Sequence, residues 1–145
     1  MEPGLTIGDI LRVKGGAIVS IRPDKTVVEA AQLLKSKRIG VLLVAEPGGR
    51  VIGLLSERDI VGAIAQHGAE GAYQLVQDIM TKRMVVCQPF DDAKQVMTTM
   101  KNGKFRHMPV MEDGLFKGMI SIGDILHHLL EHDQMLEERN IFQNL

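Results

Sequence analysis

One eight-residue pattern occurs twice in the chain. It reads Gly-x-x-Ser-x-x-Asp-Ile, begins at Gly53, and begins again 65 positions later at Gly118. An internal repeat constrains the architecture more than any single motif does, because it implies two copies of one supersecondary unit. Since 145 residues amount to about one ordinary domain, we expect the two copies to share a single hydrophobic core.

A helix is predicted upstream of each motif, because apolar residues there are spaced i, i+3, i+4 and i+7. These apolar faces consist of Val27, Ala30, Ala31 and Leu34 in the first copy and Ala93, Val96, Met97 and Met100 in the second. Each helix also has a start signal of the capping-box type, Thr26-x-x-Glu29 and Asp92-x-x-Gln95. The repeated unit is therefore much longer than the motif itself.

Two apolar strands joined by a turn follow each helix, and a short entry strand is expected before it, so that each copy reads β-α-β-β-α. The predicted hairpin strands cover residues 40–45 and 51–55 in the first copy and residues 108–111 and 116–120 in the second. A helix stop and linker are predicted at residues 67–72. The predicted divisions are residues 1–68 for the first repeat with its entry segment, residues 69–132 for the linker and the second repeat, and residues 133–145 for a C-terminal helical tail.

The composition narrows the class of protein. Hydrophobic residues make up 45% and charged residues 24% of the chain, which is typical of a folded soluble protein. No apolar run approaches the roughly 20 residues of a membrane span, and the single cysteine, Cys87, excludes an intrachain disulfide. A net charge of −1 and an aromatic content of 3% argue against nucleic acid as a partner. We therefore expect a cytoplasmic protein that does not bind membranes and that holds a small ligand locally.

The doubled motif, with the segment Arg106-His107-Met108-Pro109-Val110 before its second copy, resembles the CBS (cystathionine β-synthase) domain pair over residues 7–131. The resemblance implies an α/β (α+β) fold in which two β-α-β-β-α repeats pack as a pseudo-two-fold pair. It also implies a stand-alone regulatory module that binds an adenine nucleotide and is not an enzyme. The sequence agrees, because it contains no nucleophile-base pair, no metal-ligand set and no glycine-rich phosphate loop.

The resemblance implies a role in ligand binding for the serine and the aspartate of each motif. In the family, the aspartate accepts hydrogen bonds from both ribose hydroxyls and the serine assists, which assigns these roles to Asp59, Ser56, Asp124 and Ser121. A carboxylate is chemically suited to this task because it can accept a bond on each oxygen. Capping of the following helix explains the same serine and aspartate and is compatible with binding.

The two copies differ in the basic side chains that are available to bind a phosphate group. Arg106 and His107 stand where family members place phosphate-facing residues, whereas their counterparts, Gly40 and Val41, carry no charge. Arg58, immediately before Asp59, partly compensates in the first copy. We therefore expect phosphate to bind well near Asp124, and the site at Asp59 to be weaker or to prefer another adenosyl ligand.

The resemblance also implies that each cleft combines the entry segment of one copy with the aspartate helix of the other. The favoured cleft comprises Ala17, Ile39, Gly40, Arg106, His107, Ser121 and Asp124, and the second comprises Lys82, Val85, Phe105, Arg106, Ser56, Arg58 and Asp59. Ile39 and Phe105 are candidates for apolar walls against adenine, with ordinary core packing as the alternative. Lys14 and Lys82 are further candidates for phosphate contacts, with solvated surface as the alternative.

The predicted ligand is an adenine nucleotide (AMP, ADP or ATP), with AMP favoured and no obligatory cofactor. The alternative ligands are NAD(H) and S-adenosylmethionine, and the alternative function is that of a nucleic-acid-binding module that uses the basic clusters at residues 35–38 and 101–106.

Apolar residues on the last helix predict a homodimer: Leu129, Leu130, Met135 and Leu136. A regulatory module also requires a regulated protein partner, which the sequence does not identify. His127, His128 and His132 allow a metal site, but a solvated helix face explains them.

Overall fold

The computed structural model describes residues 4–15 and 18–143, with side chains as far as residue 134. The described residues form six α-helices and five β-strands. In chain order these are α1 (Ile7–Lys14), β1 (Ser20–Ile21), α2 (Val27–Lys37), β2 (Val41–Ala45), β3 (Val51–Ser56), α3 (Glu57–His67), α4 (Val76–Ile79), α5 (Ala93–Gly103), β4 (His107–Glu112), β5 (Leu115–Ser121) and α6 (Ile122–Gln143). A 3-10 helix, Gly68–Tyr73, joins α3 to α4 where the sequence predicts a stop and linker.

The chain divides into two compact units that do not coincide with the two sequence repeats. The terminal unit comprises Met1–Ala17 and Val85–Leu145, and the central unit comprises Ile18–Met84. The helix at the start of the chain, α1, therefore belongs to the same unit as the second repeat. The repeat boundaries predicted at residues 68 and 132 describe the sequence and stay a prediction.

The central unit contains a three-stranded sheet in the order β1-β2-β3, with β1 parallel to β2 and β2 antiparallel to β3. The predicted capping box begins α2, because Thr26 Oγ1 accepts from Glu29 N–H at 3.2 Å and Glu29 Oε2 accepts from Thr26 N–H at 3.0 Å. Seven buried apolar residues form its core: Ile21, Ala30, Leu34, Leu42, Val44, Leu55 and Val76.

The terminal unit contains the antiparallel pair β4-β5, and here the entry strand predicted for the second copy is reduced to an isolated parallel bridge between Cys87 and Val110. The bridge consists of two hydrogen bonds, from Cys87 N–H to the backbone oxygen of Pro109 at 3.0 Å and from Met111 N–H to that of Cys87 at 2.8 Å. The first N–H groups of α1, of Ile7 and Gly8, donate to the backbone oxygens of Asp91 and Pro89 at 3.0 and 2.7 Å, which satisfies the start of this helix.

The start of α5 also differs from the prediction. Asp92 accepts from Gln95 N–H at 3.1 Å, and among the described residues only this half of the predicted capping box is present. One hydrogen bond of this kind is enough to satisfy an amide in the first turn of a helix.

Each unit has a cluster of buried apolar residues of its own, and the sharing of one core by the two copies stays a prediction. The core of the terminal unit consists of Ile7, Ile10, Cys87, Ala93, Val96, Met100, Met108, Val110, Ile120, Ile125 and Leu129. Ile7 and Ile10 come from α1, which begins with a capping box between Thr6 and Asp9. Helix α1 thus supplies part of the core that stabilises the second repeat.

Candidate ligand-binding site

Each copy of the motif joins the end of a strand to the start of a helix. Ser56 ends β3 before α3, and Ser121 ends β5 before α6. The capping expected of these residues is present in both copies. Asp59 N–H donates to Ser56 Oγ at 3.3 Å and Ser56 N–H donates to Asp59 Oδ2 at 2.9 Å. In the second copy the same two bonds, between Ser121 and Asp124, measure 3.0 and 2.9 Å.

In the terminal unit, Asp124 also contacts a residue from the other end of the chain. Lys14, the last residue of α1, donates from Nζ to Asp124 Oδ2 at 2.6 Å and to the backbone oxygen of Met119 at 2.8 Å. The two side chains are 36% and 27% exposed, so the ion pair is partly shielded from water. Oδ2 thus accepts from Lys14 and from Ser121 N–H, while Oδ1 takes part in neither of these bonds.

The carboxyl group of Asp124 has a lowered pKa. Burial alone raises the pKa, because a low-dielectric environment disfavours the charged form. The hydrogen bonds from Lys14 and from the backbone and side chain of Ser121, together with the charge of Lys14, outweigh burial and bring the pKa of Asp124 below its ordinary value. The carboxylate is therefore ionised at neutral pH and acts as a hydrogen-bond acceptor.

The backbone of Arg106 and of His107 lies next to the second motif. The backbone oxygen of Arg106 accepts from Ile122 N–H at 2.9 Å, and His107 lies opposite Ser121 in the β4-β5 pairing. The backbone of both residues is thus at the N-terminus of α6. The terminal unit brings together five residues that the sequence singled out: Lys14, Arg106, His107, Ser121 and Asp124.

The central unit repeats this backbone arrangement with different side chains. Glu57 N–H donates to the backbone oxygen of Gly40 at 3.1 Å, and Val41 lies opposite Ser56. In place of an ammonium group, Asp59 has a hydroxyl: Thr81 Oγ1 lies 3.3 Å from Asp59 Oδ1 and 3.4 Å from Oδ2. The entry segment of each copy therefore reaches the aspartate of the other copy, as the family resemblance implies.

The remaining predicted site residues are distributed over both units. Ile39 is partly buried against the core of the central unit, and Phe105 is partly buried against the core of the terminal unit. Arg58 and Lys82 are exposed in the central unit, next to Asp59 and Thr81 in sequence. Val85 is also exposed, and Ala17 lies outside the described residues. The association of Ile39 and Gly40 with Arg106, and that of Lys82 with Phe105, stay predictions.

The glycine that begins each motif is the point where an entry segment crosses the strand. A Cβ atom on Gly53 would lie 2.9 Å from both Met80 Sδ and the backbone oxygen of Thr81, and one on Gly118 would lie 2.9 Å from Leu11 Cδ2. Next to Gly53, Leu54 and Thr81 exchange backbone hydrogen bonds of 3.0 and 2.8 Å. In the sequence, Asp9-Ile10-Leu11 aligns with Asp78-Ile79-Met80 at an offset of 69, and this alignment is the signal that could have identified Thr81, which is not among the predicted site residues.

Replacing Gly53 with alanine is expected to lower the free energy of unfolding by about 1–3 kcal/mol, because the new methyl group meets a backbone oxygen fixed by the Leu54–Thr81 bonds. Gly118→Ala is the matched control and should cost less, since the end of the Leu11 side chain can rotate away. Urea denaturation of both variants measures the difference, and equal losses would contradict this account of the motif glycine.

The histidines on α6 form a surface cluster. His127 pairs with Glu131 at 3.2 Å, and the rings of His127 and His128 have centroids 5.3 Å apart. Within the described part of the chain, no group of three or more His, Cys, Asp or Glu side chains is arranged to hold a metal ion.

Burial, followed by the charge of Asp91, raises the pKa of the Cys87 thiol to about 12, so this thiol is protonated at neutral pH.

None of the described helices has both the length and the apolar character needed to cross a membrane.

Comparison with known proteins decides the family. The model of the CBS domain matches the chain twice, at residues 7–66 and 76–131. The chain belongs to the CBS domain family. The α+β fold with two CBS repeats is thereby confirmed, and proteins that consist of such a pair are generally regulatory ligand-binding modules, not catalysts.

Relatives with the same repeat pair include a plant protein and two solved structures. The chain is 30% identical to the mitochondrial CBS domain-containing protein CBSX3 of Arabidopsis thaliana, over 94% of this chain and 71% of the relative. The crystal structure of the CBS-domain containing protein ATU1752 from Agrobacterium tumefaciens has a TM-score of 0.82 at 41% identity, covering 84% of this chain and 91% of that chain.

The second structure is the CBS domain pair of protein MJ0100 in complex with 5′-methylthioadenosine and S-adenosyl-L-methionine. Its TM-score is 0.77 at 21% identity, covering 90% of this chain and 99% of that chain, which is a likeness of fold. Other curated relatives are longer, and the chain spans about a quarter of two Arabidopsis thaliana proteins of the family.

Proposed function

We propose that this CBS protein is a non-catalytic regulatory module that binds an adenine nucleotide, with AMP as the favoured ligand, and signals the bound state to a protein partner. The observation that carries the proposal is the ionised carboxylate of Asp124. It stands in the first turn of α6, with the ammonium group of Lys14 and the backbone of Arg106 beside it.

The chemistry of this arrangement suits a nucleotide. A carboxylate accepts hydrogen bonds from the two cis hydroxyls of a ribose, and Asp124 Oδ1 is not used by the bonds to Lys14 and Ser121. The N-terminus of the 22-residue α6 carries a partial positive charge that favours a phosphate group. Arg106 adds a full positive charge on the same unit.

The comparisons support the ligand class more than the particular ligand. The CBS pair of MJ0100 holds two adenosyl compounds, and its likeness to this chain is one of fold. NAD(H) and S-adenosylmethionine are accordingly the alternative ligands, because they share the adenosyl group and differ in the charge attached to it.

The regulatory part of the proposal follows from thermodynamics. A ligand can signal only if it binds one conformation or assembly better than another, which requires a partner or a change of assembly. Leu126 and Leu130 are 46% and 68% exposed on α6 and form the apolar surface on which we propose that a homodimer assembles. Leu129, predicted to share this surface, is buried in the core, and the side chains of Met135 and Leu136 lie outside the described residues.

Calorimetric titration tests the proposal directly. At about 0.3 kcal/mol per ligand atom, a mononucleotide of roughly two dozen heavy atoms is expected to bind with a Kd of about 10 μM. The titrants are AMP, ATP, NAD, S-adenosylmethionine and a short oligonucleotide. Binding of AMP near this value supports the proposal. Heat from the oligonucleotide alone would favour the nucleic-acid alternative, and no response to any adenosyl compound would refute the sensor role.

A further inference from the structure

The two motif aspartates differ in the group that the opposite entry segment places on them. Asp124 accepts a hydrogen bond from the ammonium group of Lys14, whereas Asp59 accepts from the hydroxyl of Thr81. The first contact is an ion pair, and the second is a hydrogen bond between a carboxylate and a neutral hydroxyl. The surrounding backbone is arranged in the same way in both units, so the sites differ in their side chains, and Lys14 in place of Thr81 is one of these differences.

The ammonium group of Lys14 is fixed in position. Two of its three N–H bonds point to Asp124 Oδ2 and to the backbone oxygen of Met119. The helix that carries it is anchored by Ile7 and Ile10, both fully buried, and ends at Gly15, whose N–H donates to the backbone oxygen of Leu11 at 3.0 Å. Lys14 is exposed, but its ammonium group has two acceptors in the site and the helix that carries it is anchored in the core.

A fixed cation at a ribose-binding carboxylate changes which ligands are favoured. A lone carboxylate repels a phosphate attached to the ribose that it holds, because the two negative charges are less than a Debye length apart in a partly shielded environment. A cation that neutralises the carboxylate removes this repulsion without removing the acceptor for the ribose hydroxyls. An uncharged nucleoside gains nothing comparable.

We propose that Lys14 selects the class of ligand at Asp124, making this site prefer nucleosides that carry an anionic group over uncharged adenosine. This inference rests on the proposed function, since it requires an adenosyl ligand at Asp124. The recognised chemistry is a ribose bearing a phosphate. Arg106 contributes charge in addition, so removing Lys14 weakens the preference and does not abolish it.

The test compares AMP with adenosine on Lys14→Met, which keeps the length of the side chain and removes its charge. Both proteins carry Asp59→Ala, so that calorimetry reports on Asp124. We expect Lys14→Met to weaken AMP binding about tenfold and to change adenosine binding less than about twofold. Lys14→Arg should restore most of the AMP affinity. Lys94→Met, which removes an exposed charge from α5 of the same unit, is the matched control and should leave both affinities unchanged.

The outcomes separate this inference from the proposed function. If the protein that retains Lys14 binds neither AMP nor adenosine, the proposed function fails before Lys14 is considered. If both ligands bind but Lys14→Met weakens them equally, Lys14 has only a structural role and the inference is wrong. An unchanged ratio of AMP affinity to adenosine affinity in the more polar Lys14→Gln variant would overturn the inference as well. Circular dichroism verifies that each variant is folded.

Discussion

Replacing Asp124 with alanine is expected to weaken AMP binding by at least about 100-fold. Asp124 Oδ1, which the bonds to Lys14 and Ser121 do not use, has two lone pairs for the ribose hydroxyls, and a hydrogen bond to a charged group contributes about 1.5–3 kcal/mol. Loss of both bonds also leaves the ammonium group of Lys14 without its partner in the site. Isothermal titration of the variant with AMP measures the loss, and an unchanged affinity would show that the ligand does not contact this residue.

Two further variants control this experiment. Asp124→Asn keeps the shape of the side chain and one acceptor oxygen, so its loss should be about tenfold. Glu131→Ala removes another carboxylate from α6, one that pairs with His127 on the surface, and should leave AMP affinity unchanged. Because Asp124 also caps α6, thermal unfolding of each variant must be measured to separate a binding defect from a loss of stability.

Replacing Ile10 with alanine is expected to lower the free energy of unfolding by about 2–5 kcal/mol, and to do so in the terminal unit. Ile10 is fully buried in α1, among core residues supplied by the second repeat. Native-state hydrogen exchange gives the location as well as the size of the effect. Amides in α5, β4 and β5 should lose protection, while those in β2 and β3 should keep it.

The controls for this prediction come from the same chain. Val13→Ala changes a residue of α1 that is 76% exposed and should alter stability by less than about 0.5 kcal/mol. Leu55→Ala removes a fully buried side chain from the core of the central unit and should give the opposite pattern of exchange. If Ile10→Ala instead increased exchange mainly in β2 and β3, the assignment of α1 to the terminal unit would be wrong.

The elements inside each repeat are predictable because their signals are local. The apolar spacing of α2 and α5 and the turns of both hairpins involve residues close together in the chain. The structure confirms both helices, and all four hairpin strands agree with the prediction to within one residue at each end. The serine and aspartate of each motif are equally local, since a capping bond connects residues three positions apart.

The helical entry segment was missed although its signal is also local. Thr6-x-x-Asp9 has the form of a capping box, and Ile7, Ile10 and Leu11 follow with helical spacing. The segment also aligns with residues 75–80 of the second copy, where the helix, α4, has only four residues. A repeat indicates that two segments are related, but it does not require that they have the same length of helix.

The contacts that define the candidate site could not be predicted in the same way. Lys14 and Asp124 are 110 positions apart, and Thr81 and Asp59 are 22 apart. Which side chains meet over such separations depends on how α1 packs on the core of the terminal unit, and no periodicity in the sequence records it. The sequence identified Lys14 as a phosphate candidate, and the structure adds the carboxylate that it contacts.

The placement of α1 in the terminal unit also bears on the order in which the protein is made. The ribosome releases α1 before the central unit, but the residues that bury Ile7 and Ile10 are synthesised after the whole of that unit. The central unit is continuous in sequence and can complete its sheet while translation proceeds, since domains generally fold as they emerge. The apolar face of α1 therefore has no core of its own unit to pack against until α5, β4, β5 and α6 have left the ribosome.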